Sequence, residues 1–272
     1  DDEIRINEFI VAANICDEIV YLPDGAGEKR YAINGEFDLS ESPAKILEDM
    51  HMSCAGQPTY VSGMHGIIVG AYYGPASEDL FDHQLHGDID LLPEPPASDR
   101  INTVVGTFID DDTFQKMDFP AVKVAEWVEE DGNQELTEDL DLRFVTSSWQ
   151  AQRLANILLR QRRTSRTITC SVNVSGWRYR PGSYLRLYIP ALGISGVEFR
   201  VVDWSFDLMD GVQLTLREES AGVWADAVGR PMERPDITEL PVGGIAMPDQ
   251  LRYEVEQVGE IVQGVLSWRN VG

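Results

Sequence analysis

The sequence predicts an α+β chain, mostly antiparallel β, with a small barrel-like or strongly twisted sheet domain and a helix–strand–helix–hairpin subdomain. Three observations predict it. Between Arg166 and Glu219, four short runs alternate apolar and polar residues and are separated by turn residues. Ahead of them, apolar stripes at helical spacing are interleaved with short strand patterns. Within the run from Val197 to Phe206 the apolar phase slips at Val201-Val202 and continues as Trp204 and Phe206. A one-residue slip moves side chains to the opposite face unless a β-bulge absorbs it, so a bulge is expected there.

Taken in order, Ile6, Phe9, Ile10 and Ala13 give an amphipathic helix over about 4–18. Pro23 to Gly27 is a turn and Tyr31 to Phe37 a strand. Ser42 and Pro43 suit an N-cap and first turn. The helix they open runs to about Ala55, buries Ile46, Leu47, Met50 and Cys54, and stops at Gly56. Thr59 to Tyr72 reads as a hairpin turning near Ser62-Gly63 and Gly66. Residues 75–99, with Pro93, Pro95 and Pro96, read as an acidic linker or extended crossing. Ile101–Ile109 and Val122–Val128 read as strands, with an acidic loop around Asp131-Gly132. Ser147 or Ser148 caps a helix reaching about Arg163, whose Ala151, Leu154, Ala155 and Leu158 face the core. On that reading Leu158→Ala costs ~2–5 kcal/mol.

Four strand runs follow, built on Ile168–Val174, Leu185–Ile189, Val197–Phe206 and Val212–Leu216. Ser175-Gly176, Pro181-Gly182 and Asp210-Gly211 punctuate them. Pro231, Pro235, Pro241, Gly243, Gly244 and Pro248 make a connector. Leu251–Trp268 has the look of the opening strands of a fibronectin type III-like sandwich. The expected division is 1–99 (α+β, ending in the acidic Pro-rich linker), 100–225 (barrel-like, with one amphipathic helix) and 226–272 (connector and sandwich start). With no initiator methionine or signal pattern at Asp1-Asp2-Glu3, the chain reads as a fragment of a longer polypeptide.

The formal net charge of −24 argues against general nucleic-acid binding. No apolar run approaches the ~20 residues of a membrane helix. Charge is uneven. From Leu142 to Val197 there is no acid, while nine arginines fall there: Arg143, Arg153, Arg160, Arg162, Arg163, Arg166, Arg178, Arg180 and Arg186. Glu126 to Asp141 carries eight acids. The two stretches are expected to face each other within the fold or across a subunit contact, the rival being a basic patch for a partner. For a subunit contact, Arg153, Arg160, Arg162 and Arg163 are expected to pair subunits with the acids of Glu126–Asp141.

Candidate chemistry is thin. His83 and His86 with Asp82, Asp88 and Asp90 offer metal-ligand types, but in a proline-bounded loop that fixes nothing. Asp110, Asp111 and Asp112 lack EF-hand spacing and read as a solvated turn. His51 and His65 read as ordinary histidines. Cys16, Cys54 and Cys170 lack CxxC spacing and read as buried thiols. No hydrolase elbow, P-loop, dinucleotide fingerprint or zinc-protease motif is present. Trp177, Tyr179, Tyr184, Tyr188 and Trp204 suggest either a sugar-stacking cluster or ordinary packing, with packing favoured. No residue is assigned as catalytic, cofactor-binding or metal-binding.

From about Glu8 to Trp224 the chain resembles the central part of the tail-tip hub proteins of long, non-contractile-tailed phages, the family of the lambda-like tip attachment protein J. The resemblance is carried by "EFIVAANICDE" (Glu8–Glu18), "RYAINGEFDLSESPAKILEDM" (Arg30–Met50) and "INTVVGTFIDDDTFQKMDFPAV" (Ile101–Val122). It continues in "LDLRFVTSSWQAQRLANILLRQRR" (Leu140–Arg163), "YRPGSYLRL" and "FRVVDWSF". It implies a non-enzymatic structural protein of the virion's distal tail tip, made in the bacterial host cytoplasm. By the same resemblance it forms a homotrimer closing the tail tube, contacts other tail proteins, and is linked to receptor-binding parts that this chain lacks. Fibronectin type III-like domains follow the hub in that family. The alternatives are a carbohydrate- or cell-wall-binding module and, behind it, a cell-wall hydrolase domain of a tail protein.

Overall fold

The computed structural model describes residues 3–61, 63–93, 100–164, 166–207, 211–226, 229–232, 249–258 and 261–269. Two compact units, Asp1–Met232 and Glu233–Gly272, divide the chain.

The first unit opens with helix α1 (Ile6–Cys16) and a hairpin of β1 (Ile19–Tyr21) and β2 (Gly27–Lys29) around the expected turn. α1 is amphipathic as the spacing requires, but inverted. Ala12, Ile15 and Cys16 meet the core, while Ile6 is 64% and Ile10 53% exposed, with Phe9 and Ala13 beside them. Tyr31–Phe37 is not a strand. Its backbone finds partners elsewhere: Ala32 N–H donates to Gln150 Oε1 (3.0 Å), Gln150 Nε2 donates back to the Ala32 carbonyl (3.0 Å), and Asn34 N–H donates to the Phe144 carbonyl (2.9 Å). A side-chain amide replaces a ladder partner.

Helix α2 (Pro43–Met52) starts on Pro43, with Ser42 at the N-cap position making no side-chain cap bond. It buries Ile46 and Asp49, whereas Leu47 is exposed. Cys54 is buried in the turn beyond it, and the left-handed residue there is Ala55 (φ +46°), not Gly56. The hairpin β3 (Gln57–Val61) and β4 (Met64–Ile68) follows as expected, Val61 opposite Met64.

Residues 75–99 correct the linker reading, because β5 (Glu78–Phe81) and β6 (Leu85–Leu92) are strands of the main sheet. Pro95 and Pro96 lie outside the described residues, as do Ser62, Asp210, Pro235, Pro241, Gly243, Gly244 and Pro248. β7 (Thr103–Ile109) is followed by β8 (Lys116–Asp118) and the two-residue β9 (Val122–Lys123). The expected strand to Val128 becomes helix α3 (Ala125–Glu130), which brings Trp127 against the core. After the acidic turn, β10 (Thr137–Leu142) pairs in parallel with β7, an element the acid-rich sequence concealed. Ser147 opens helix α4 (Ser148–Thr164): its carbonyl accepts from Ala151 N–H (3.0 Å) and its Oγ from Gln150 N–H (3.3 Å). Ala151, Leu154 and Ala155 are buried as expected, but Leu159 rather than Leu158 is fully enclosed.

Strands β11 (Thr167–Val172), β12 (Tyr184–Ile189), β13 (Ile194–Asp207) and β14 (Gly211–Glu218) fulfil the four-strand prediction. The register of β13 on β14 shifts between Val201 and Asp203, the predicted bulge. The six-stranded order is β5-β12-β13-β14-β11-β6. Its two edges are consecutive in sequence, Phe81 and Leu85 being joined by Asp82–Gln84. A flat sheet of this size would separate its edges by about 24 Å, and that connection spans at most about 14 Å. The sheet therefore curls into a half-barrel whose unpaired edge strands approach where Asp82–Gln84 join them, and it encloses residues such as Leu80, Phe199 and Leu214. A second core lies under α4, where Val104, Phe108 and Leu142 meet Leu154 and Leu159.

In the second unit β15 (Asp249–Val258) pairs antiparallel with β16 (Ile261–Arg269).

A candidate ligand groove beside the barrel

The sequence-derived candidates scatter. His83 stacks on Phe81 (5.7 Å) at an exposed turn, and His86 stands on β6. No group of three His, Cys, Asp or Glu side chains among the described residues could hold a metal ion. Asp110 is buried, its Oδ2 accepting from Thr113 N–H (3.2 Å) and Oγ1 (2.9 Å), so the turn it closes is not wholly solvated. His65 lies against Tyr60 (4.7 Å). Burial lowers the pKa of His51 below its ordinary value. The three thiols are free, and burial pushes Cys54 and Cys170 up to about 12.

The arginines largely pair within the fold. Arg163 bridges Asp131 (2.8 Å) and Glu130 (2.9 Å), and Arg162 reaches Glu138 (3.3 Å). Arg153 instead holds Glu28 Oε1 (2.6 Å), away from the acidic stretch. The expectation that Arg153, Arg162 and Arg163 join subunits through those acids is corrected: their charges meet partners inside the unit.

The five aromatic candidates do not form one cluster. Tyr179 is buried in the barrel core, Tyr184 packs edge-on against Tyr72, and Tyr188 stacks on Phe81. Only Trp177 and Trp204 meet, edge to face at 5.1 Å. Trp177 rides on the turn after β11 and Trp204 on β13 just past the bulge, which swings it out of strict alternation. Arg180 lies over both indoles, 5.5 Å from Trp177 and 5.0 Å from Trp204. Its Nη1 is fixed by the carbonyls of Trp177 and Tyr179. Opposite stands the edge of the β3–β4 hairpin. Together Gln57, Tyr60, Trp177, Arg180, Asp203 and Trp204 bound a groove of about 400 Å³. Sequence reasoning had the two tryptophans and missed Gln57, Tyr60, Arg180 and Asp203, which no local pattern connects.

Behind this groove lies an ionisable cluster, buried at Arg200 and Glu219 and half-buried at Arg217. Arg200 Nη2 donates to Gln57 Oε1 (3.0 Å), and Trp224 Nε1 donates to Glu219 Oε1 (2.8 Å). Arg217 stands 3.9 Å from Glu219. Arg217 Nε and Glu219 Oε2 are buried with no hydrogen-bond partner among the described residues. Burial raises the Glu219 carboxyl above its ordinary value, against the opposing pull of Arg217 and Arg200, and burial lowers Arg217. Burial also pushes Tyr184 and Tyr72 up to about 12, with Glu219 and Glu198 adding to the effect.

A carboxyl whose pKa is raised on folding contributes stability that is complete below its unfolded value and lost as pH rises through the folded one. Glu219→Gln removes that loss and keeps an acceptor for Trp224. The melting temperature of the variant, relative to the parent, is expected to climb from about pH 4 to about pH 8. A difference that stays flat or shrinks over that range refutes the assignment.

The fold is thus a curled, mostly antiparallel half-barrel joined to a helix-covered small sheet, with a groove and no assembled catalytic set among the described residues. Residues 96–204 match the family model described as a putative phage tail protein. No curated protein matches the sequence. Among solved structures, a chain from the virion of a native gene transfer agent particle superposes with a TM-score of 0.60 at 13% identity. That alignment covers 84% of this chain and 49% of the other. This chain therefore spans about half that protein's length, and the likeness is one of fold. A tail protein from Neisseria meningitidis MC58 aligns at 17% identity and TM-score 0.46, over 81% of this chain and 67% of that one. A prophage tail protein from Listeria monocytogenes EGD-e aligns at 12% and 0.41, over 74% and 59%.

Proposed function

We propose that this chain is a structural, non-enzymatic piece of a phage or prophage tail, at the tip hub that closes the distal end of the tail tube. There it associates as a homotrimer in the full protein, contacts neighbouring tail proteins and couples to receptor-binding parts. The observation that carries the reading is the family match over 96–204, which runs through β7–β10, α4 and the barrel strands as far as Trp204. In this reading 1–99 and 100–225 together build the hub, β5 and β6 of the first stretch completing the sheet of the second, and 226–272 is a connector leading into a fibronectin type III-like domain. Exposed Tyr253, Val255, Leu266 and Trp268 on β15 and β16 support the last assignment, since a sandwich strand presents such residues to a facing sheet. Immunogold labelling of intact particles with antibody to this chain tests the location. Label along the tube or on the head, and none at the tip, refutes it.

The outward stripe of α1 supports assembly. Ile6, Phe9 and Ile10 form an uncharged apolar face on a chain of net charge −24, where copies would otherwise repel. Phe9→Asp with Ile10→Asp should leave folding nearly intact, because exposed positions seldom shift stability by more than ~0.5 kcal/mol. The same pair should abolish trimers of the full protein in analytical ultracentrifugation. Trimers of undiminished stability would remove α1 from the interface.

A further inference from the structure

We propose that the groove between the β3–β4 hairpin and the Trp177–Trp204 pair is a binding site for a neutral glycan. This goes beyond a wall-forming role and does not depend on it. Three observations carry it. The groove, about 400 Å³, falls in the range of small-ligand sites and suits a short oligosaccharide. Trp177 is 48% and Tyr60 66% exposed, so the groove offers aromatic surface open to a ligand. Sugar rings present C–H bonds on one face, and these are attracted to the electron-rich face of an aromatic ring.

The polar groups fit the same ligand. Arg180 is pinned over the indoles by two carbonyls, so its guanidinium edge is preorganised. Asp203 contributes an exposed carboxylate to the same wall, and the Tyr60 ring stands on the opposite side. A fixed donor fork and an acceptor pair match vicinal hydroxyls, which donate and accept together. The opposite charges of Arg180 and Asp203 offset each other locally. The −24 field of the whole chain disfavours acidic saccharides and nucleic acid. A neutral, hydroxyl-rich ligand meets neither penalty.

The test titrates the chain with maltotriose, chitotriose, trigalacturonate and a proline-rich decapeptide, read by calorimetry and by saturation-transfer NMR. Saturable binding of maltotriose or chitotriose is expected. It should weaken about tenfold or more in Trp177→Ala, be largely retained in Trp177→Phe, and weaken in Asp203→Asn. Far-UV circular dichroism of each variant separates loss of the site from loss of the fold, and Trp177→Phe keeps the question answerable if the alanine variant unfolds. Absence of saturable binding by both neutral sugars overturns the proposal. So does binding that Trp177→Ala leaves unchanged, binding confined to trigalacturonate, or binding of the peptide alone.

Discussion

Gly106→Ala is expected to unfold the first unit or come close to it, although it adds one methyl group to a strand. Gly106 sits in β7, the central strand of the smaller sheet, opposite Leu140 of the parallel edge strand β10. A Cβ at this position would lie 2.0 Å from the Leu140 carbonyl oxygen and 2.7 Å from its carbonyl carbon. These are backbone atoms, so no rotamer change relieves the overlap and the two strands have to part. Val104 and Phe108, on either side of Gly106, are buried in the core that α4 covers, so strand separation propagates into packing. Overpacking alone costs ~1–3 kcal/mol; with the ladder disrupted as well, a loss above ~4 kcal/mol is expected. Urea denaturation measures it, with Gly222→Ala as the control, since only Ser220 Oγ at 3.7 Å approaches that site. A Gly106→Ala midpoint close to the parent's would show that β7 and β10 are not paired in this register.

The four strands β11–β14 were legible because each has one buried face. Ile168, Cys170 and Val172 alternate with half-exposed residues, and the slip at Val201-Val202 could be absorbed in only one way. The edge strand β6 was not legible although its Leu85, Ile89 and Leu91 pack on the same core. Asp88 and Asp90 point outward between Ile89 and Leu91, charges that keep an open edge from pairing with other chains, and beside the prolines they imitate a linker. β10 hid behind Glu138, Asp139 and Asp141 in the same way. The acid–arginine asymmetry gave a correct alternative, contact within the fold, for Arg162 and Arg163. The groove was half legible: tryptophans are conspicuous, but their partners come from 57–60 and 180–203, and only the curl of the sheet brings them together.

What sequence periodicity could least disclose is the polar grip of α4 on β2 and the chain after it, and there the second large effect is expected. Arg153 is 5% exposed, with Nη1 on Glu28 Oε1 (2.6 Å) and Nη2 on the Arg30 carbonyl (2.8 Å). Ser147 Oγ donates to the other oxygen of Glu28 (2.7 Å), and Gln150 Nε2 reaches the carbonyls of Ala32 (3.0 Å) and Ser53 (2.8 Å). A helix that is apolar on one stripe thus buries hydrogen-bonding groups on the next, and those groups take the place of a strand over 31–37. Arg153→Ala strands Glu28 and the Arg30 carbonyl in a poorly hydrated seam. Breaking one side of such a pair costs ~3–5 kcal/mol, most of it the penalty of the abandoned partner. The double change Arg153→Met with Glu28→Met should therefore recover much of that loss, because neither charge is left alone. Thermal and urea denaturation of the parent, the single and the double variant measure both steps. A double variant no more stable than Arg153→Ala would mean the pair contributes net stability in its own right; a neutral Arg153→Ala would mean the grip does not form.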